Sequence, residues 1–304
     1  MIVRPFSDRL ELITQPDHAR LARAIMDHCV PLRDQPRRDA ILLAVSEHDS
    51  GWAGPDAAPT VNPATGGVYD FVNAPIGVRQ AVWPRSVAAL EGHPWAAALV
   101  AQHALTVYDR FRSDREWTPF FDRLETSRAS LLRSAELPLD QLVADYVFVR
   151  LADLISLAFC SGSIDEQRFG EFTVRFRGTR VVVTPDVFGG AAIPFSIEAR
   201  VIPNRPFETD DALHRALQAA GTAILRGDAA QLSAWKQWLD RAYLPTTLVL
   251  CIPKGTPHLP AVLDKPASAK VNAYLCEGVT CLPPIDDPAR LREALELPKI
   301  AAPD

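Results

Sequence analysis

Four stretches of the chain repeat apolar residues every three to four positions, and each carries an imidazole or a carboxylate on that apolar stripe. Between Pro16 and Val30, Ala22, Ile25 and Cys29 extend a stripe that begins at His18. Between Arg37 and Asp49, Ile41, Ala44 and Val45 lead to His48. Between Pro94 and Phe111, Ala96, Leu99 and Val100 precede His103, and Val107 follows it. Between Leu139 and Cys160, Tyr146 and Val149 precede Asp153, with Ser156 and Leu157 just after. Residues three, four and seven apart share one face of an α-helix, so the spacing predicts four helices that turn these groups toward a core. An irregular segment rich in Gly, Pro and Ala, Ser50 to Pro75, follows His48-Asp49 directly. Loops of that length inside a domain are commonly functional, and Trp52, Tyr69, Asp70 and Phe71 suit it to covering a pocket or to packing on itself.

After Cys160 the period changes to two. Phe172, Val174 and Phe176 alternate with polar residues, Gly178-Thr179 supplies a turn before Val181 to Val183, and Phe195, Ile197, Ala199 and Val201 alternate again. These predict a small antiparallel sheet. Helices are expected over Asp210 to Leu225 and Ala229 to Ala242, the second with Leu232, Trp235 and Leu239 on one face. Strands are expected at Thr246 to Ile252 and Val271 to Cys276, and a last helix at Asp287 to Leu295. Asp287 suits its N-cap and Pro288 its first turn. The expected class is α+β. A mainly helical domain with appended antiparallel strands fills residues 1–225, and a small α/β module fills 226–304.

Burying imidazoles and carboxylates in a helical core is costly unless something compensates them. A divalent metal would, and His with ionised Asp suits Mn, Fe or Zn. His18, His48, Asp49, His103 and Asp153 are therefore read together as lining a metal pocket. Taken singly, each has a plainer explanation. A core histidine can bond a backbone carbonyl, and Asp153 can pair with nearby Arg150.

Composition narrows the classes. The chain has 304 residues, with 48% hydrophobic and 23% charged residues, as in a soluble globular protein with a sizeable core. No apolar run is long enough to span a bilayer and the N-terminus carries no signal-peptide pattern, so a cytoplasmic location away from membranes is expected. The net charge of −5 argues against a nucleic-acid surface and leaves a small molecule as the expected partner. Cys29 and Cys160 fall on apolar helix faces. Cys276 and Cys281 form a close pair, too few ligands for zinc even if His258 joined them. A disulfide is open to them, although reduced thiols are the cytosolic default.

The segments Ile13-Thr14-Gln15-Pro16-Asp17-His18-Ala19, Glu47-His48-Asp49-Ser50-Gly51-Trp52, Ala97-Ala98-Leu99-Val100-Ala101-Gln102-His103 and Leu151-Ala152-Asp153-Leu154-Ile155-Ser156-Leu157 resemble the bacterial domain-of-unknown-function family 3891. The resemblance covers roughly the first two thirds of the chain and transfers no activity. The order of these residues is more distantly similar to the HD-domain superfamily of metal-dependent phosphohydrolases. That similarity implies an HD-like helical fold with His18, His48, Asp49 and Asp153 as metal ligands and His103 in or beside the shell. Two-metal relatives use further histidines, for which only His93 and His103 are available here. The tail from Leu244-Pro245 through Ala273 to Ile285 is similar to the end of the spermatogenesis-associated thioredoxin-like family, whose other domains this chain lacks. The resulting expectation is a phosphohydrolase in which the metal activates water to attack phosphorus. His103 would bond a phosphate oxygen or protonate the leaving group, and Glu47 and Arg150 would orient the ligands. One alternative is a non-haem diiron oxygenase with Asp49 bridging the metals. The other is a non-catalytic module that binds a ligand or partner through the Ser50 to Pro75 loop.

Overall fold

The computed structural model describes residues 1–163, 165–218, 221–240, 247–257, 259, 263–268, 270–277 and 280–295. Expectations for His258, Leu244-Pro245, Gly278-Val279 and the end of the helix expected to reach Ala242 lie outside the described residues. Contacts divide the chain into two units. One comprises residues 1–6, 10–199 and 206–208, and the other 7–9, 200–205 and 209–304. The protein is an α+β molecule. Among the described residues no helix is long and apolar enough to cross a membrane.

The first unit opens with a hairpin, β1 (Ile2–Pro5) and β2 (Arg9–Ile13), paired antiparallel with Ile2 opposite Ile13. The helices are α1 (Gln15–Met26), α2 (Val30–Arg33), α3 (Arg38–Glu47), α4 (Ala53–Ala57), α5 (Ile76–Ala88), α6 (Pro94–Val107), α7 (Thr118–Ala135) and α8 (Leu139–Ser161). A meander of β3 (Gln167–Phe169), β4 (Phe172–Arg177) and β5 (Arg180–Thr184) closes the unit. The start of α1 follows from Thr14, whose hydroxyl accepts from the Asp17 amide at 3.1 Å while Pro16 occupies the first turn. α6 lies at the centre and packs on α3, α5, α7 and α8. Nearly all its residues are buried, from Trp95 to Leu105 with Gln102 the exception. A helix apolar on every side belongs in a core, and its alanines let the neighbours approach closely.

All four helices expected from the apolar stripes are present, and α5 and α7 join them. α5 is masked in the sequence by Pro84, which sits inside the helix where proline removes a backbone bond and ordinarily ends one. The segment after His48-Asp49 is less irregular than expected. It forms a short 3₁₀ turn at Ser50–Trp52, then α4, then a bridge between Val61 and Val68. Asp56 on α4 accepts from the Gln15 amide at 2.6 Å and pairs with the Met1 amino group at 2.5 Å, which ties α4 to the start of α1.

Gly51 is required by a close approach in this region. A Cβ there would lie 1.9 Å from the Val82 carbonyl oxygen of α5, and the Gly51 amide donates to Ser86 Oγ at 2.8 Å. Gly51→Ala should therefore cost about 1–3 kcal/mol as the turn is pushed off α5, read as a lowered melting temperature. An unchanged melting temperature would show that the turn and α5 move apart at no cost.

The expected strand at Phe195 to Val201 is corrected. Ile193, Phe195 and Ile197 are half-buried between exposed neighbours, so the alternation is real, but no ladder forms before β6 (Arg200–Pro203). In the second unit α9 (Asp210–Gln218) ends before Leu225. Gly221 to Leu225, expected as helix, belongs to β7 (Gly221–Gly227), which runs across the boundary expected at 225. A short apolar run does not by itself distinguish strand from helix. β7 pairs parallel with β8 (Thr247–Pro253) after α10 (Ala229–Asp240), and antiparallel with β9 (Asn272–Glu277). β10 (Thr280–Cys281) and α11 (Pro288–Ala294) complete the unit, with Asp287 capping α11. Cys276 and Cys281 face each other across β9 and β10 and form a disulfide, against the expectation of reduced thiols. Cys29 and Cys160 are buried and free.

Candidate metal centre

α1, α6 and α8 deliver His18, His103 and Asp153 to one place, and His48 and Asp49 join them directly after the end of α3. His48 is fully buried, and the other four are at most 5% exposed. His18 Nε2 lies 3.2 Å from Asp153 Oδ1 and 3.8 Å from Asp49 Oδ2. His48 Nε2 lies 3.4 Å from Asp49 Oδ2 and 3.7 Å from Asp153 Oδ1. His103 Nε2 lies 3.8 Å from Asp153 Oδ2. Among the described residues two overlapping groups could hold a metal ion, His18-His48-Asp49 and His48-His103-Asp153, each with its ligand atoms within 4.8 Å of one another.

His48 decides what this cluster needs. Its Nδ1 lies 2.7 Å from the Val45 carbonyl oxygen. A carbonyl only accepts, so Nδ1 carries the hydrogen and a neutral ring has its lone pair on Nε2. That Nε2 is buried without a hydrogen-bond partner and faces two carboxylates. A lone pair against two anions is repulsive, and a cation between them removes the conflict. In its absence the ring takes up a proton instead. Burial opposes the charge, but Asp49 and Asp153 overcome it and push the His48 pKa up to about 10. The same core shows a buried carboxylate that needs nothing further. Asp145 accepts from Arg37 Nε at 2.6 Å, Trp95 Nε1 at 2.9 Å and Gln141 Nε2 at 3.1 Å.

The neighbours hold the remaining members in place. Burial would raise the Asp153 pKa, but His18, His48, His103 and Arg150 together keep it well below the usual carboxylate range. Arg150 Nη1 sits 2.5 Å from Asp153 Oδ2. His103 behaves differently from His48. Burial drives its pKa down to about 3, so it is neutral near pH 7. Its Nδ1 lies 3.2 Å from the Tyr146 hydroxyl. With its hydrogen on Nδ1, donated to the Tyr146 oxygen, neutral His103 keeps its lone pair on Nε2, which lies 3.8 Å from Asp153 Oδ2.

His18, Asp49, His103 and Asp153 line the floor of a cavity of about 350 Å³, whose walls include Trp52, Trp83 and Tyr108. That volume suits a small molecule. Of the other residues expected at the site, Arg150 and Trp52 line the cavity. Glu47 is half-buried and does not line it. Asp70 accepts from the Val72 and Asn73 amides at 2.8 Å and so stabilises its own turn. His93 is exposed at the start of α6 and does not reach the cavity. Trp83, Tyr108, Arg79 and Arg110 were not anticipated. Trp83 and Arg79 lie on α5, the helix that Pro84 hides in the sequence.

The family described as a protein of unknown function, DUF3891, matches residues 1–204. The chain belongs to that family. The match encloses the five clustered residues, the cavity wall and the β3–β5 meander. The second unit beyond Thr209 lies outside it. No curated protein and no solved structure shows significant similarity to the chain.

Proposed function

We propose that this DUF3891 protein is a metal-dependent phosphohydrolase acting on a small phosphate ester, built on an HD-like helical arrangement. The observation that carries the reading is His48 Nε2, buried, unpartnered and fixed by the Val45 carbonyl with its lone pair toward two carboxylates. His18, His48, Asp49 and Asp153 are the ligands. Neutral imidazoles with carboxylates suit Mn, Fe or Zn. A divalent ion held there supplies an acidified water and polarises a phosphoryl oxygen.

The chain's own groups do the rest. Arg150 holds Asp153 in register and presents positive charge to the cavity, which offsets the acidic character of the protein for an anionic substrate. Because burial keeps His103 neutral, we assign it as an acceptor that orients the attacking water through Nε2, in place of the phosphate-bonding or proton-donating role expected from the sequence. A single ion is favoured over a pair. Both ligand groups share His48, and one nitrogen lone pair binds one metal.

The assay is hydrolysis of p-nitrophenyl phosphate and bis(p-nitrophenyl) phosphate by protein loaded with Mn. Turnover should stop on chelation and fall about 100-fold or more in His103→Ala, as for loss of a positioned general-base group. A metal-loaded sample that hydrolyses no phosphate ester across a broad panel would end the phosphohydrolase reading.

A further inference from the structure

The cavity has a second charged place, apart from the His-Asp floor. Arg79 on α5 and Arg110, in the turn after α6, both line it. Both guanidiniums lie over the Phe111 ring, at 5.5 Å and 4.8 Å, and Arg79 also lies 5.4 Å from the Trp117 ring. Burial raises the Tyr108 pKa, and both guanidiniums are near enough to oppose that shift. Among the described residues neither pairs with a carboxylate, and Arg79 Nε is buried with no hydrogen-bond partner. The nearby Arg112 shows the contrast, since it pairs with both Asp109 and Glu125. Two converging guanidiniums without counter-ions, one with an unsatisfied N–H, form a receptor for an anion.

Aromatic rings line the cavity from the cluster toward this place. The Trp83 ring lies 5.4 Å from His103 and 5.9 Å from Tyr108, and Tyr108 stacks on Trp117 at 4.7 Å. We propose that the substrate carries two anionic groups, a reacting phosphoryl at the His-Asp floor and a second phosphate or carboxylate held by Arg79 and Arg110, with a planar body along Trp83 between them. The assignment of the reacting end rests on the phosphohydrolase reading. The arginine subsite does not.

The test is calorimetric binding of three unreactive probes to metal-loaded protein. Phenylphosphonate carries one anionic end, whereas 4-phosphonobenzoate and benzene-1,4-diphosphonate carry two and distinguish a carboxylate from a phosphate at the second end. The two-ended probes should bind about tenfold tighter than phenylphosphonate, the ratio that one charge-assisted contact provides. Arg79→Gln and Arg110→Gln should each reduce that ratio, and the double variant should erase it, with metal content and phenylphosphonate binding unchanged. Arg110 is exposed, so Arg110→Gln keeps the test valid even if Arg79→Gln disturbs the Trp117 packing. No preference in the parent protein, or a preference that survives both substitutions, overturns the subsite. If the protein binds no metal, benzene-1,4-dicarboxylate replaces the phosphonates. Binding weakened by Arg110→Gln would then keep the subsite while the metal reading falls, and binding indifferent to it would remove both.

Discussion

His48→Ala should yield protein without bound metal and with a melting temperature lowered by about 10 °C. The substitution removes the one ligand shared by both candidate groups, so metal affinity should fall by more than the 10–100-fold typical of losing an outer partner. It also leaves Asp49 and Asp153 buried with less compensation. Breaking a buried charge pair from one side costs about 3–5 kcal/mol, and each kcal/mol moves the melting temperature of a unit this size by about 2–4 °C. Asp153→Asn separates the two effects. It keeps the volume and removes a ligand charge, so it should also lose metal while destabilising less. Metal content by mass spectrometry and melting with and without chelator read both outcomes. Full metal content in His48→Ala would place any bound ion elsewhere.

The second large effect is a difference in pH dependence between chelated and metal-loaded protein. Without metal, His48 takes up a proton, and its pKa is raised from 6.5 in the unfolded chain to about 10. The folded state then binds the extra proton, so this contribution is complete below pH 6.5 and is lost progressively toward pH 10. His103 acts in the opposite direction. Burial lowers its pKa to about 3, so its contribution is present above pH 6.5 and lost as pH falls toward 3. The chelated protein should be most stable near pH 6.5 and fade on both sides. In the metal-loaded protein the ion occupies the proton's place on His48, so the alkaline decline should be absent up to pH 9. Identical alkaline limbs with and without metal would show that the ion does not compete with the His48 proton.

The candidate site was legible in the sequence to the extent that helical spacing carries information. His18, His48, His103 and Asp153 each sit on an apolar stripe, and a stripe predicts which way a side chain turns. The sequence could not show which imidazole is the discordant one. That depends on His48 turning its Nδ1 back to the Val45 carbonyl in the last turn of α3 and on Tyr146 of α8 meeting His103 Nδ1, neither of which apolar spacing encodes. The cavity wall was hidden for a local reason, because Pro84 disguises α5 and with it Trp83 and Arg79. Aromatic neighbours in the sequence mark Asp70 as a pocket residue, but its carboxylate caps its own turn, as Asp commonly does. In the fold, Gly221 to Leu225 reads equally well as helix or strand. Pairing with β8 and β9 decides it, and both partners are distant in sequence.

Anomalous diffraction from crystals of Mn- or Zn-loaded protein shows whether the His-Asp cluster holds one divalent ion. A single anomalous peak is expected about 2.0–2.3 Å from His18 Nε2, His48 Nε2 and carboxylate oxygens of Asp49 and Asp153. Density without a peak there, with His48 Nε2 donating to Asp49 or Asp153 as an imidazolium in metal-saturated crystals, would contradict it.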